Sequence, residues 1–224
     1  MLIGHSGRMR TFGRQSLSLT RFTQLPGHAG LLAALVFLVA ASHGSPAGAD
    51  EQKMWPAGAY TFSDELGGFE ITGVTGKGTQ DDPIVIVEEF QSATPVTLTI
   101  RARREIRPFE PSGDYVNGVL YMRIEALNNS GHPWIEFEFE LQEILDRPSV
   151  FGDGLSFDQR NKSPTNIISS KFAKFDRDFE PYDRLLFTVG QVDPLASVSF
   201  QFLITDYTPR WTFYLVQDPR IPST

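Results

Sequence analysis

Glu136, Glu138 and Glu140 stand at i, i+2 and i+4 in the run Trp134-Ile135-Glu136-Phe137-Glu138-Phe139-Glu140-Leu141. Successive side chains of a β-strand point to opposite faces, so the three carboxylates share one face and the apolar residues share the other. Two carboxyl groups on one face are what glycosidic cleavage requires, one as acid and the other as nucleophile or base. Along an unbulged strand the i and i+2 positions lie about 6.6 Å apart and the outer pair about 13 Å. A retaining glycosidase holds its two carboxyl groups about 5 Å apart. The same pattern also describes a solvated sheet face on which Arg101, Arg103 or Arg123 sits opposite the acids as cross-strand pairs.

Trp134 shares the parity of the glutamates, and Tyr121 falls on the polar side of the strand expected to pair with theirs. Trp134, Tyr121, Glu136 and Glu138 therefore form the candidate binding set, rings beside carboxylates being a platform for a sugar. Two acidic turns are candidates for calcium, Asp81-Asp82-Pro83 and the stretch from Gly152 to Asp158 that carries Asp153 and Asp158. Calcium needs six to eight oxygens, and neither turn has the D-x-[DN]-x-[DN]-G spacing. Asp-Pro and Asp-Gly are ordinary turn chemistry, so neither a metal nor any other cofactor is expected.

The remaining composition narrows the chemistry further. The chain has no Cys and four His, three of them before Asp50, which leaves His132 alone in the rest. A His/Cys zinc site is excluded by those counts. A Ser-His-Asp arrangement would depend on His132, which sits in the turn Ser130-Gly131-His132-Pro133.

Residues 1–49 read as an export signal. Arg8, Arg10, Arg14 and Arg21 precede the apolar run Leu31–Ala41, and Ala47-Gly48-Ala49 offers the A-x-A pattern of a signal peptidase site. The run is shorter than the roughly 20 apolar residues of a spanning helix, and no second one follows, so no membrane span is expected after signal removal. The four leader charges are all basic, so of 20 Lys+Arg and 27 Asp+Glu the rest of the chain keeps 16 against 27, a formal net charge of −11. Nucleic acid, which demands a basic surface, is thereby disfavoured as a partner.

Residues 50–67 read as an irregular lead-in, and 68–224 as one domain. Its pattern has period two. Strands are expected around Phe69–Val74, Ile84–Val87 (buried on both faces), Val96–Arg103, Leu120–Ala126, Ile135–Leu141, Leu185–Val189, Val198–Ile204 and Trp211–Leu215. The strands at Leu120–Ala126 and Ile135–Leu141 flank the turn Asn128-Asn129-Ser130-Gly131 and are expected to pair as a hairpin. Residues 145–183 form a loop-rich insertion with a weak strand near Asn166–Ile168. About eight turn-punctuated strands predict an all-β fold, a single two-sheet antiparallel β-sandwich of immunoglobulin-like or jelly-roll type.

Two resemblances accompany these patterns. The stretch Glu136–Glu140 resembles the Glu-x-Asp-x-(x)-Glu strand of laminarinase-type jelly-roll glycosidases over five residues, with Glu138 in place of the central Asp. The segments Arg123–Phe137 and Gly152–Asp158 together resemble uncharacterised exported β-proteins of bacteria, in which an Asn-Asn-(Ser/Thr)-Gly turn precedes a Trp and a strand ending in Glu-Leu. That resemblance covers about 35 residues; it implies an exported sandwich domain and no catalytic assignment.

The expectation is a periplasmic or secreted protein, a non-catalytic binding or interaction module whose partner is a glycan or an envelope protein. A carbohydrate-active hydrolase using Glu136, Glu138 and Glu140 is the first alternative, and a structural subunit of an envelope assembly is the second.

Overall fold

A computed structural model describes residues 53–161, 164–177 and 181–222. The expected leader and its cleavage after Ala49 lie outside these residues. In chain order the strands are β1 (Trp55–Ala57), β2 (Tyr60–Ser63), β3 (Phe69–Thr75), β4 (Ile84–Phe90), β5 (Val96–Ala102), β6 (Val119–Asn128) and β7 (Glu136–Gln142). A three-residue 3-10 turn at Phe151–Asp153 leads to β8 (Leu155–Phe157), β9 (Ile168–Ser169), β10 (Phe172–Asp176), β11 (Arg184–Gly190), β12 (Ser197–Asp206) and β13 (Thr212–Arg220).

The strands make two sheets. One runs β1-β2-β5-β13-β7-β11-β10, and the other runs β3-β4-β6-β12-β8 with β9 also paired to β12. Pairing is antiparallel except between β4 and β6, which are parallel because the chain passes through β5 of the other sheet between them. The all-β reading therefore holds, with mostly antiparallel sheets. Phenylalanines from both sheets meet in one core. Phe137 of β7 lies 4.6 Å from Phe200 of β12, and Phe139 lies 4.9 Å from Phe202, centroid to centroid. Such ring pairs add roughly 1 kcal/mol each beyond the area they bury.

The expected hairpin does not form. β6 pairs with β4 and β12, whereas β7 pairs with β13 and β11 in the other sheet. The chain crosses between sheets at Asn128, which is fully buried and polar. Its Nδ2 donates to the carbonyls of His132 at 2.8 Å and Val192 at 3.0 Å, while its Oδ1 accepts from Ser130 N at 3.1 Å. Ser130 Oγ in turn accepts from the Trp134 indole at 3.1 Å. With its backbone groups satisfied this way, the turn opens into an arch, and the apolar faces of β6 and β7 oppose one another across the core.

Trp134 is the second correction. It has no solvent exposure and packs against Phe90 and Phe137 at 5.3 and 5.5 Å. A bend at Ile135 breaks the alternation, because Trp134 pairs with Val192 through its own N–H and carbonyl instead of extending β7. Parity counted back from Glu136 therefore points the ring the wrong way.

Two smaller differences have local causes. Residues 50–67 are not irregular throughout, since they carry β1 and β2, strands of three and four residues that are too short for a period to register. Ile84–Val87 is not buried on both faces: Ile84 and Ile86 point inward, Val87 is 40 % exposed, and the next inward position is Glu88.

Candidate functional site

The three glutamates stand on β7, and cations from both neighbouring strands occupy them. Register places Arg184 of β11 opposite Glu140 and Arg220 of β13 opposite Glu136. Arg184 Nε donates to Glu140 Oε2 at 2.7 Å, and Arg220 Nη2 donates to Glu138 Oε2 at 2.8 Å. Looser contacts close the ladder, Arg220 to Glu136 at 3.6 Å and Arg184 to Glu138 at 4.0 Å. This is a cross-strand charge ladder of the expected kind with different partners. Arg101 instead pairs with Glu65, and Arg123 with Glu125. Burial pushes the Glu138 carboxyl above its ordinary range against the pull of Arg220 and Arg184.

The candidate calcium residues do not converge. Asp81 and Asp82 are exposed in the β3–β4 loop, where the Asp82 carbonyl accepts the amides of Lys77, Gly78 and Thr79. The Asp153 carboxylate caps its own turn, accepting from Ser149 Oγ at 2.7 Å, Val150 N at 2.9 Å and Leu155 N at 3.1 Å. Asp158 is buried, but the space beside it belongs to Arg177. That guanidinium donates to the carbonyls of Phe157 at 3.0 Å, Asp158 at 2.7 Å and Asn161. Three main-chain carbonyls of this loop are thus turned on an arginine. Among the described residues no group of three or more His, Asp or Glu could hold a metal ion.

Tyr121 alone among the binding candidates reaches an open cavity. A cleft of about 300 Å³ lies between the β3–β4 loop, the long β5–β6 loop and the start of β6, and Tyr121 lines it with Lys77, Phe109, Tyr115 and Arg160. That volume falls at the small end of ligand sites. Glutamates 136–140 are on the other sheet, so the composite site expected from Trp134, Tyr121, Glu136 and Glu138 does not exist.

Backbone bonds build this cleft from both sides. On one side the Asp82 carbonyl gathers three amides at 2.9–3.2 Å, and Tyr121 N donates to the Gly78 carbonyl at 3.0 Å, tying the loop to β6. On the other, the β5–β6 loop is pinned across its neck. Arg107 N donates to Val116 O at 2.8 Å, Val116 N to Glu105 O at 3.1 Å and Phe109 N to Asn117 O at 3.0 Å. Gly113 lets the two loops meet. Its φ is +78°, and a Cβ there would lie 2.8 Å from Thr79 Cγ2.

Phe109 occupies the rim in a costly way. It is 64 % exposed and holds φ at +68°, a left-handed conformation that costs a side-chain-bearing residue on the order of 1–2 kcal/mol. Arg160 lies over its ring at 5.9 Å and over Tyr207 at 5.6 Å, and Arg107 lies over Tyr115 at 4.1 Å. The cleft therefore offers aromatic faces, hydroxyls and guanidinium edges, the equipment for binding a flat polar ligand.

Sequence reasoning passed over Phe109, Tyr115, Lys77 and Arg160. The available signal was the length of the segment between β5 and β6, since connections longer than about 12 residues are usually functional. No protein-family model, no curated protein and no solved structure matches the chain at a significant level. Among the described residues no helix is long and apolar enough to cross a membrane.

Proposed function

We propose that the chain is an exported β-sandwich binding module of the bacterial envelope or extracellular space, which holds a glycan in the cleft beside Tyr121 without chemically changing it. The observation that carries this reading is Phe109: a large apolar ring kept 64 % exposed in a left-handed conformation at the mouth of a cavity. Backbone strain of this sort clusters where a ligand is gripped. Tyr115 and Tyr121 supply further rings, and the arginine-locked glutamates of β7 leave the cleft as the place for recognition. The basic leader and the A-x-A segment support export.

Isothermal titration of the purified protein against a panel of envelope and plant oligosaccharides tests the binding reading. One class is expected to bind, with Tyr121→Ala and Phe109→Ala each weakening it about tenfold or more. Failure of every glycan, together with a stable protein partner recovered from the envelope, would establish the structural-subunit alternative. Fractionation of the producing cell and N-terminal sequencing tests export, with Asp50 as the expected first residue.

A further inference from the structure

We propose that the ligand of this cleft is an acidic sugar, a glycan segment carrying carboxylates, a reading that rests on the cleft being a glycan site. The chain as a whole carries −7, yet the side chains lining the cleft include two cations, Lys77 and Arg160, and a single acid, Glu110. Glu110 is already engaged: its Oε2 accepts from Ser112 N at 3.1 Å and from Ser112 Oγ at 2.6 Å, closing a local turn. The side chains that line the cleft thus carry a net positive charge in a negative molecule.

Both cations are available. Lys77 is exposed, and neither it nor Arg160 has a carboxylate within salt-bridge distance among the described residues. Arg160 acts on the Asp158 carboxyl only as a background charge. Its guanidinium carbon lies 5.9 Å from the Phe109 ring centre and 5.6 Å from that of Tyr207, and its planar fork of N–H donors matches a carboxylate in bidentate fashion. Lys77 approaches from the opposite loop as a point charge. In the same cleft the rings of Phe109, Tyr115 and Tyr121 provide apolar faces for a pyranose, and the Thr79 hydroxyl and Gln80 amide provide partners for ring hydroxyls. Two cations on separate loops and three rings in one cleft suit a charged sugar ring better than a neutral one.

The test is isothermal titration with a galacturonate trimer and with a neutral galactose trimer, at low and at high salt. The uronate is expected to bind about tenfold or more tightly than its neutral counterpart, and to weaken as salt rises. Lys77→Ala and Arg160→Ala should each cost the uronate roughly five- to tenfold and cost the neutral sugar much less, whereas Tyr121→Ala should weaken both alike. Lys77→Gln, on an exposed loop, serves should the Arg160 variant fold poorly. Equal binding of the two trimers, unaffected by salt, overturns the acidic-sugar assignment and leaves the glycan reading standing. Absence of binding by either trimer and by the wider panel overturns both. Competition by inorganic phosphate as effective as the uronate overturns the sugar acid in favour of a simple anion site.

Discussion

Gln217 of β13 donates from Nε2 to Glu88 Oε2 of β4 at 3.0 Å, a hydrogen bond that joins the two sheets inside the core. Glu88 is 1 % exposed and Gln217 not at all. The Oε1 atom of each residue has no hydrogen-bond partner among the described residues. Burial, opposed by the Gln217 bond and reinforced by nearby Asp64, pushes the Glu88 carboxyl up to about 8. A protonated Glu88 adds a donor to a pair that otherwise holds two orphaned acceptors, whereas a carboxylate leaves both unsatisfied.

The sign of the resulting pH dependence follows. Between the ordinary value of 4.5 and about 8 the folded protein holds a proton at Glu88 that the unfolded chain has lost. Stability therefore falls as pH rises through this window, by up to roughly 1.4 kcal/mol per pH unit. Urea titrations of wild type and Glu88→Gln from pH 4 to 9 isolate the effect from Asp206, whose carboxyl burial pushes up to about 6 with the same sign. The difference between the two proteins should grow toward high pH in favour of the variant, and parallel curves would rule out a proton at Glu88.

Phe109→Asn separates what the fold needs from what the cleft needs. Asparagine tolerates the left-handed conformation that φ of +68° imposes, and the lost ring is 64 % exposed. The melting temperature is expected to hold or rise by a few degrees, about 1 kcal/mol or less, while glycan binding falls. A variant that binds normally would remove Phe109 from the site.

Asn128→Ala attacks the arch between the sheets. It removes one donor from the carbonyls of His132 and Val192, which keep Ser130 Oγ and Trp134 N, and the acceptor of Ser130 N, and it empties a fully buried side-chain position. A loss of about 1–3 kcal/mol is expected in chemical denaturation. A cost below about 1 kcal/mol would mean that packing of Trp134 alone sustains the crossing.

Glu138→Gln probes the charge ladder. Arg220 and Arg184 remain beside Glu136 and Glu140, and the amide still accepts a hydrogen bond, so the cost should be about 1 kcal/mol. Uronate affinity should not change. Loss of a hydrolytic activity in this variant, if wild type showed one, would revive the hydrolase alternative.

How far the sequence revealed this molecule depended on what its period can express. Alternation identified β6, β7, β12 and β13 and the inward faces of Phe137, Phe139, Phe200 and Phe202, because one buried face imposes period two. It was silent about partners. A strand with one apolar face satisfies itself equally as half of a hairpin or half of an arch, and the choice between them lay with the side chain of Asn128. The same pattern misled at Val87 and Glu88, where the apolar residue faces out and the carboxyl faces in to meet Gln217. Of the binding candidates only Tyr121 lies in the cleft, since the cleft is assembled by loops, whose residues follow no period.

Strand β13 follows every other strand in the chain yet lies fourth of seven in its sheet, between β5 and β7. The strands on its two sides, β1-β2-β5 and β7-β11-β10, reach each other through it alone. Closure of that sheet therefore depends on the most C-terminal of the described strands. Until Thr212–Arg220 is free to insert, the chain holds two ribbons with open inner edges and no way to join them. Such long-range pairing slows folding, and removing Thr212–Arg220 would part the sheet between β5 and β7.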